Sequence, residues 1–194
     1  VEEVALQYYW MEHRYSGLHC EGRILYVIHC LLFWDIVYDV TVPGVWQNSF
    51  QVAPLDFHTE TFYESRKEKI NYRLNQIENG DLNDILDIIE LKYEESKDFK
   101  CIVDAKMHER YSLQVLSSVF ECIGGKVMAG ISRIWCEDQR TRSGFPDLIL
   151  WNKDEKKALF CEVKGPRDRL SDKQRFWINM LITFGANVEV CHVR

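Results

Sequence analysis

Apolar positions recur at helical spacing through most of the first 137 residues. In the first stretch, Val4, Tyr8 and Met11 fall on one side of a helix that Ser16-Gly17 would end. The same spacing predicts further helices, several of them ended by Gly, Pro or Asn. The helices are predicted at residues 1–15, 24–42, 59–78, 81–95, 112–122 and 127–136. Residues 45–58 and 95–107 lack the pattern and are expected to be loop and connector.

The pattern changes after Gly144, where short apolar runs of strand composition replace the long helical ones. Residues 148–151 and 158–164 are two such runs, and the short polar turn between them favours an antiparallel hairpin. Ser171 and Gln174 have capping-box spacing, which predicts a helix from there to Gly185, and residues 187–193 form a last strand. A strand that follows a helical crossover lies parallel to its neighbour. We therefore expect an α/β fold with a mixed-sheet core, strand-strand-helix-strand at the C-terminus, and a helical N-terminal portion.

The apolar stretch at residues 24–42 is long enough to resemble a membrane span. It contains His29, Asp35 and Asp39, and no 18 consecutive residues in it are apolar. A buried helix is the better interpretation, and no membrane association is expected.

Charge is distributed unevenly along the chain. The formal net charge is −6, which counts against a broad electrostatic grip on nucleic acid. Residues 1–137 carry 13 basic and 22 acidic side chains, whereas residues 138–194 carry 11 basic and eight acidic ones. If this protein binds phosphate, the basic C-terminal segment is where we expect the contact, with further DNA contacts supplied by parts outside the chain.

Seven cysteines are scattered without a Cys-x-x-Cys pair. An odd, unpaired set argues for reduced, mostly buried thiols in an intracellular protein, and against zinc ribbons or a disulfide framework. The length of 194 residues suits one domain, and the initial Val suggests an excised fragment whose targeting signal would lie elsewhere.

Two carboxylates and a lysine are predicted to converge at one end of the hairpin. Glu162 and Lys164 point to the same side of their strand, and the fold-back of the hairpin brings Asp147 beside them. Hard cations such as Mg²⁺ prefer oxygen ligands, which two carboxylates and a backbone carbonyl provide. A metal there can polarise a phosphoryl oxygen and activate water, with the lysine orienting that water. Either fragment alone could be an ordinary turn or a solvated strand face; the pair together favours phosphodiester hydrolysis.

These residues carry a family resemblance. Pro146-Asp147, followed by Glu162-Val163-Lys164, resembles the PD-(D/E)xK nuclease motif, whose core is the restriction-endonuclease-like mixed sheet. The longer segment from Ser143 to Gln174 resembles the sequence of the virus-type replication-repair (VRR) nuclease subfamily. Together with His19-Cys20-Glu21-Gly22, the whole chain resembles the C-terminal nuclease domain of the Fanconi-anaemia-associated nuclease family. The expected domain is therefore residues 1–194, with 1–137 a mostly helical lead-in and 138–194 the catalytic sheet and helix.

The resemblance also implies roles for residues that the pattern alone leaves open. The helix dipole alone can explain Glu21, because an anion is favoured at the N-terminal edge of a helix. The family resemblance implies a second role, since the family places an early-helix glutamate in the metal site. The implied metal ligands are thus Glu21, Asp147, Glu162 and the Val163 carbonyl, for Mg²⁺ or Mn²⁺. Gln174, which the capping box already explains, is kept as a further site residue because the family favours a glutamine there.

Five basic residues near this end of the chain are candidates for contacts with the DNA backbone. They are Arg140, Arg142, Arg167, Arg169 and Lys173. Lys173 lies in the first turn of its helix, where the dipole disfavours a cation, so a phosphate contact and a merely solvated side chain both remain open. The arginines before Asp147 are equally compatible with ordinary loop charge.

What the resemblance implies about function is a nuclear DNA-repair enzyme. It would cut branched or 5′-flapped DNA, trim it with 5′→3′ polarity and help unhook interstrand crosslinks. Upstream domains absent from this chain would recruit it to ubiquitinated proteins of the Fanconi pathway. Two alternatives stay open: a catalytically silent DNA- or protein-binding module of the same fold, and a dimeric Holliday-junction resolvase.

Overall fold

A computed structural model describes residues 1–193, apart from the side chains of residues 139 and 140. The helices are α1 Glu2–His13, α2 Arg23–Leu32, α3 Trp34–Val37, α4 Glu60–Asn79, α5 Leu82–Ser96, α6 Ala105–Arg110, α7 Leu113–Ile123, α8 Gly125–Glu137 and α9 Asp172–Phe184. The strands are β1 Ser16–His19, β2 Leu148–Asn152, β3 Lys157–Lys164 and β4 Asn187–His192. A 3₁₀ helix, Gln139–Arg142, links α8 to the turn before β2.

The four strands form one mixed sheet in the order β1-β2-β3-β4. β1 and β3 both run antiparallel to β2, and β4 lies parallel to β3 after the α9 crossover. The predicted hairpin, crossover helix and parallel final strand are all present. The expected fold class, a mixed-sheet α/β core with abundant helix before it, is confirmed.

Each face of the sheet packs against helices, because strand side chains alternate. On one face, Ile149 and Phe160 are buried in the large core that also holds α2, α4, α5, α7, α8 and α9. On the other face, Leu148, Leu150 and Cys161 pack with Ala5 and Tyr9 of α1 in a smaller core. The sheet is therefore sandwiched, and α1 is the element that covers its second face.

Strand β1 is an element that the sequence pattern did not predict. Residues 16–19 were expected to end the first helix and form a junction. Instead α1 ends at Arg14 in the left-handed conformation, with φ of 55°, and the chain continues at once as an edge strand paired with β2. Gly17 fits because a Cβ there would lie 2.5 Å from the Leu150 side chain. Three of the four residues are half-buried and the fourth is exposed, so the strand has no alternation of buried and exposed positions that the sequence could show.

Two helix boundaries also differ from the prediction. The single helix expected at residues 24–42 is broken at Phe33, and its helical part ends at Val37. The connector expected at residues 95–107 overlaps a short helix, α6, whose N-cap Asp104 accepts a hydrogen bond from the Met107 N–H at 2.9 Å. Six residues are too few for a helical period to be recognised.

The helical portion contains one ion pair that is closed to solvent. The Arg66 guanidinium donates to Asp56 Oδ2 at 2.6 Å and to the Ile36 carbonyl at 3.1 Å. This joins α4 to the loop before it and to α3. Within residues 1–193, no single helix has the length and apolarity to span a membrane; only α7 and α8 taken together reach that length, and they are bent by 102°. All seven cysteines in the described part of the chain are free, and six of them are buried.

Candidate active site

The hairpin register brings Asp147 and Glu162 together at one edge of the sheet. Leu148 pairs with Cys161. Asp147, which precedes Leu148, therefore lies beside Glu162, which follows Cys161. The Asp147 carboxylate accepts a hydrogen bond from the Val163 N–H through Oδ2 at 2.8 Å. This bond holds the aspartate against β3, although it lies outside β2 itself.

Glu162 is fully buried, and its two carboxylate oxygens have different surroundings. Oε1 accepts hydrogen bonds from Lys164 Nζ at 2.7 Å and from Gln174 Nε2. Oε2 is buried and has no hydrogen-bond partner among the described residues. Burial raises the pKa of the Glu162 carboxyl, the hydrogen bond from Lys164 opposes that rise, and the nearby Asp147 charge adds to it. The site thus holds a carboxylate oxygen that has lost water without gaining a protein donor.

Gln174 connects the start of α9 to the strand that carries Lys164. Its Oε1 accepts from Lys164 Nζ at 3.3 Å and from the Ser171 backbone N–H at 2.9 Å. Ser171 Oγ in turn accepts from the Gln174 N–H at 3.3 Å, which completes the predicted capping box. One side chain therefore completes the helix cap and also contacts Lys164 and Glu162; its role as a site residue stays a prediction.

Glu21 reaches the site through its backbone. The N–H groups of Cys20 and Glu21 both donate to the Asp147 carbonyl, at 3.0 and 3.2 Å. Glu21 itself has a φ of 46°, and Gly22 after it has a φ of 77°, where a Cβ would lie 2.8 Å from the Phe145 ring. The tight turn that joins β1 to α2 is thereby fixed to the residue before β2.

The Glu21 side chain lines a cavity at the start of α2. It is more than half exposed and its Oε1 lies 3.7 Å from His19 Nε2. The cavity measures about 450 Å³ and is also lined by Tyr26, Trp135 and Arg142. A role for Glu21 as a metal ligand stays a prediction.

The basic candidates occupy several positions around this edge. Arg142 lies with its Cζ 4.5 Å from the centre of the Tyr26 ring. Lys173 Nζ donates to Ser143 Oγ at 3.0 Å and lines a neighbouring cavity with Phe176. Arg167 and Arg169 are exposed in the loop after β3, and the Arg140 side chain lies outside what the structure describes. Their contacts with DNA stay predictions.

Two residues near Asp147 had no assigned role from the sequence. Glu2, His19 and Asp147 each offer a ligand atom, and these three atoms lie within 4.8 Å of one another. They come from the start of α1, the end of β1 and the residue before β2. No local spacing in the sequence could have revealed a group drawn from three such distant positions.

The donor set fits a hard divalent cation. Asp147 and Glu162 supply carboxylate oxygens, and the unpartnered, buried Glu162 Oε2 is the kind of atom that a bound cation would satisfy. A paired acid at the edge of a mixed sheet, with a lysine two residues further along the same strand, is the arrangement of the PD-(D/E)xK nucleases. That is the class of protein that the fold and the site together define.

Within that class, the chain belongs to the VRR-NUC domain family, which matches residues 81–194. Three similar proteins illustrate the relationship, and this chain is covered completely by each of them. A Fanconi-associated nuclease 1 homolog of Schizosaccharomyces pombe is 42% identical over 194 residues, which are 27% of that protein. The homolog of Dictyostelium discoideum is 40% identical over 208 residues, and Fanconi-associated nuclease 1 of Homo sapiens is 36% identical over 195 residues; each match covers 19% of the relative.

Solved structures agree with the family assignment. A crystal structure of paFAN1 bound to a 2-nucleotide 5′-flap DNA with a gap superposes with a TM-score of 0.86 and 25% identity. It covers all of this chain, which corresponds to 35% of that protein chain. The complex with a 1-nucleotide flap gives a TM-score of 0.84. The chain thus spans about a third of the solved relatives and at most about a quarter of the curated ones named above.

Proposed function

We propose that this chain is a divalent-cation-dependent, structure-specific DNA nuclease domain. The observation that carries the proposal is the buried, unpartnered Oε2 of Glu162 next to Asp147 and within a hydrogen bond of Lys164 through its other oxygen. The names of its relatives, and the flapped DNA bound by paFAN1, support DNA as the substrate.

Asp147, Glu162 and the Val163 carbonyl would hold Mg²⁺ or Mn²⁺, with Glu21 joining them. Such an ion supplies a positive charge that polarises the scissile phosphate and lowers the pKa of a water molecule. Lys164 has three N–H bonds, of which the contacts above occupy two, with Glu162 and Gln174. The third is left to orient the attacking water or to stabilise charge on a phosphate oxygen.

Gln174 and Asp147 act by keeping this arrangement rigid. Gln174 holds both the Lys164 ammonium and the Glu162 carboxylate, so the lysine cannot swing away from the acid. The hydrogen bond from the Val163 N–H fixes the Asp147 carboxylate at the strand end. Positioning of this kind lowers the barrier because the groups are already oriented before the phosphate arrives.

The finer activity that the family resemblance implies forms part of the same proposal. It comprises cleavage near a 5′ flap, 5′→3′ trimming, a part in interstrand crosslink repair and a nuclear location. Recruitment by ubiquitinated Fanconi-pathway proteins would need domains beyond this chain. Arg140, Arg142, Arg167, Arg169 and Lys173 are proposed as DNA-backbone contacts.

Substitution of Lys164 tests its proposed role in cleavage. Lys164→Ala should reduce cleavage of a 5′-flapped duplex in Mn²⁺ by about 10²- to 10⁴-fold, the range for losing a proton-transfer or charge-stabilising group. Lys157→Ala is the matched control, since Lys157 begins the same strand but is exposed at its far end. Single-turnover gel assays with Mn²⁺, with Mg²⁺ and with EDTA measure the rate.

The same assay separates the alternatives. Flap binding by the wild-type chain without cation-dependent products, in a chain joined to its upstream DNA-binding parts, would favour the silent module. Cleavage that is equal in Lys164→Ala and Lys157→Ala would reject the proposed chemistry. Symmetric cutting of a four-way junction by a stable dimer in light scattering would favour the resolvase.

A further inference from the structure

A second set of ligand atoms surrounds Asp147, apart from Glu162. It consists of a Glu2 carboxylate oxygen, a His19 ring nitrogen and an Asp147 carboxylate oxygen, all within 4.8 Å of one another. Glu2 and Asp147 are half-buried, and His19 is more exposed. The Asp147–Glu162–Val163 set offers oxygen alone, whereas this one adds an imidazole nitrogen.

The fold holds the histidine of this group in place. His19 pairs with Leu148 in the sheet, and the two N–H groups after it donate to the Asp147 carbonyl. On the other side, the Arg110 guanidinium donates to the His19 carbonyl at 3.1 Å. The imidazole is thus carried on a backbone segment that is tied to Asp147 and to α6.

Glu2 is held by the packing of α1 on the sheet. Ala5 and Tyr9, one and two turns further along the helix, are buried against β2 and β3. The Tyr9 hydroxyl donates to Glu189 of β4 at 2.7 Å. Three rigid elements therefore meet at this point, which is the preorganisation that a metal site requires and that scattered surface charges lack.

The ligand chemistry separates this group from a magnesium site. Mg²⁺ favours all-oxygen coordination, whereas imidazole favours transition-metal ions, whose affinity for nitrogen-containing sites also exceeds that of Mg²⁺. We propose that Glu2, His19 and Asp147 form a second divalent-cation position that prefers a transition-metal ion such as Fe²⁺ or Zn²⁺ to Mg²⁺, with Asp147 shared between the two positions. Mn²⁺ binds such a site less tightly than these ions and serves as its spectroscopic probe. The second position rests on the proposed function only in assigning the first cation to Asp147 and Glu162.

Electron spin-echo spectroscopy of bound Mn²⁺ tests the proposal directly, because an imidazole ligand gives a nitrogen modulation that carboxylates do not. The probe is Mn²⁺ alone, added to the whole chain without DNA. The wild type should show the imidazole modulation, and counting free Mn²⁺ by electron paramagnetic resonance gives the ions bound. His19→Ala should lose the modulation and bind one Mn²⁺ fewer per chain, whereas excess Mg²⁺ should leave the wild-type modulation in place.

Two control substitutions, one of a histidine and one of a carboxylate, test whether the modulation comes from His19. His13→Ala removes an exposed histidine at the other end of α1 and should keep the modulation. Glu162→Gln should also keep it while losing the cation of the first position.

Each outcome is decisive. A wild-type chain without the imidazole modulation, or a modulation that survives in His19→Ala, overturns the second position. A modulation that is lost in Glu162→Gln as well would show one shared ion and also overturns it. Nitrogen ligation by His19, together with failure to cleave DNA when the chain is joined to its upstream DNA-binding parts, would reject the proposed function and leave this site standing.

Discussion

At the residue scale, the site depends on how burial changes the behaviour of single ionisable groups. Glu162 is buried next to another acid, which makes its negative charge costly in free energy. Hydrogen bonds from Lys164 and Gln174 offset this cost at one carboxylate oxygen, but no described residue does so at the other. Buried charges in proteins are normally paired or bound to metal. The imbalance between the two oxygens is therefore the strongest local indication of a cation.

His29 gives a prediction at the same scale. It is buried against Phe33 and Trp135, and burial, with a smaller effect of the Arg142 charge, lowers its pKa to about 3. The unfolded chain binds a proton near the ordinary value of 6.5, so the folded state loses stability as the pH falls from there towards 3. The slope for one proton is about 1.4 kcal/mol per pH unit.

We expect His29→Phe to remove that part of the pH dependence, since phenylalanine keeps the ring packing without titrating. Urea unfolding at several pH values between 4 and 8 measures it. Equal slopes in wild type and His29→Phe would contradict the assignment.

At the scale of elements, the site depends on where α9 starts relative to β3. Gly144 packs against the first turn of that helix: a Cβ there would lie 2.5 Å from the Cβ of Lys173 and 3.1 Å from the Gln174 nitrogen. Gln174 in turn holds Lys164. Gly144 thus joins the turn before β2 to α9, and Gln174 joins α9 to β3.

Gly144→Ala should therefore reduce cleavage by more than its effect on stability explains. Its φ of +85° adds backbone strain of about 1–2 kcal/mol, and the contact with Lys173 displaces the Gln174 side chain from Lys164. Gly185→Ala is the matched control, because Gly185 has a φ of +93° but open space around it. Urea unfolding should show the strain of a positive φ in both variants and a further loss of stability from the contact with Lys173 in Gly144→Ala alone. Single-turnover cleavage, measured where both variants are fully folded, should fall at Gly144 and not at Gly185; equal rate losses would contradict this.

At the scale of the whole molecule, the large core is built from both parts of the chain. Ile28 of α2 and Leu74 of α4 are buried in the same cluster as Met128 and Ile131 of α8. A Cβ on Gly125 would lie 2.0 Å from the Ile77 carbonyl oxygen, so α8 begins in direct contact with α4. The segment that matches the VRR-NUC domain family, residues 81–194, contains neither α2, α4 nor β1.

We expect residues 1–194 to unfold as one unit and residues 81–194 alone not to fold. Removing residues 1–80 exposes the apolar faces of α7, α8 and the sheet. The free energy lost with that burial exceeds the small net stability of a domain. Calorimetry of the whole chain should give one transition with equal calorimetric and van't Hoff enthalpies. Dispersed amide resonances in the 81–194 fragment, or two transitions in the whole chain, would contradict the expectation.

Much of the C-terminal half was predictable because its signals are local. The hairpin follows from two apolar runs around a polar turn, and the α9 cap from the spacing of Ser171 and Gln174. The approach of Asp147 to Glu162 follows from strand periodicity once the hairpin is assumed. By contrast, β1 was missed, because an edge strand of four residues depends on its partner strand and leaves little pattern of its own.

The sequence by itself determined the α/β class, the order of the final strands and helix, and the placing of an acid pair and a lysine at one sheet edge. It did so because strand alternation and capping depend on neighbours a few residues apart. Only the tertiary structure decided that the turn at Glu21 binds the Asp147 backbone, that Glu162 is fully buried, and that Glu2 and His19 approach Asp147. The contacts made to Asp147 join segments more than a hundred residues apart, so no local pattern could show them. Glu162 meets its partner Gln174 only because α9 packs beside β3.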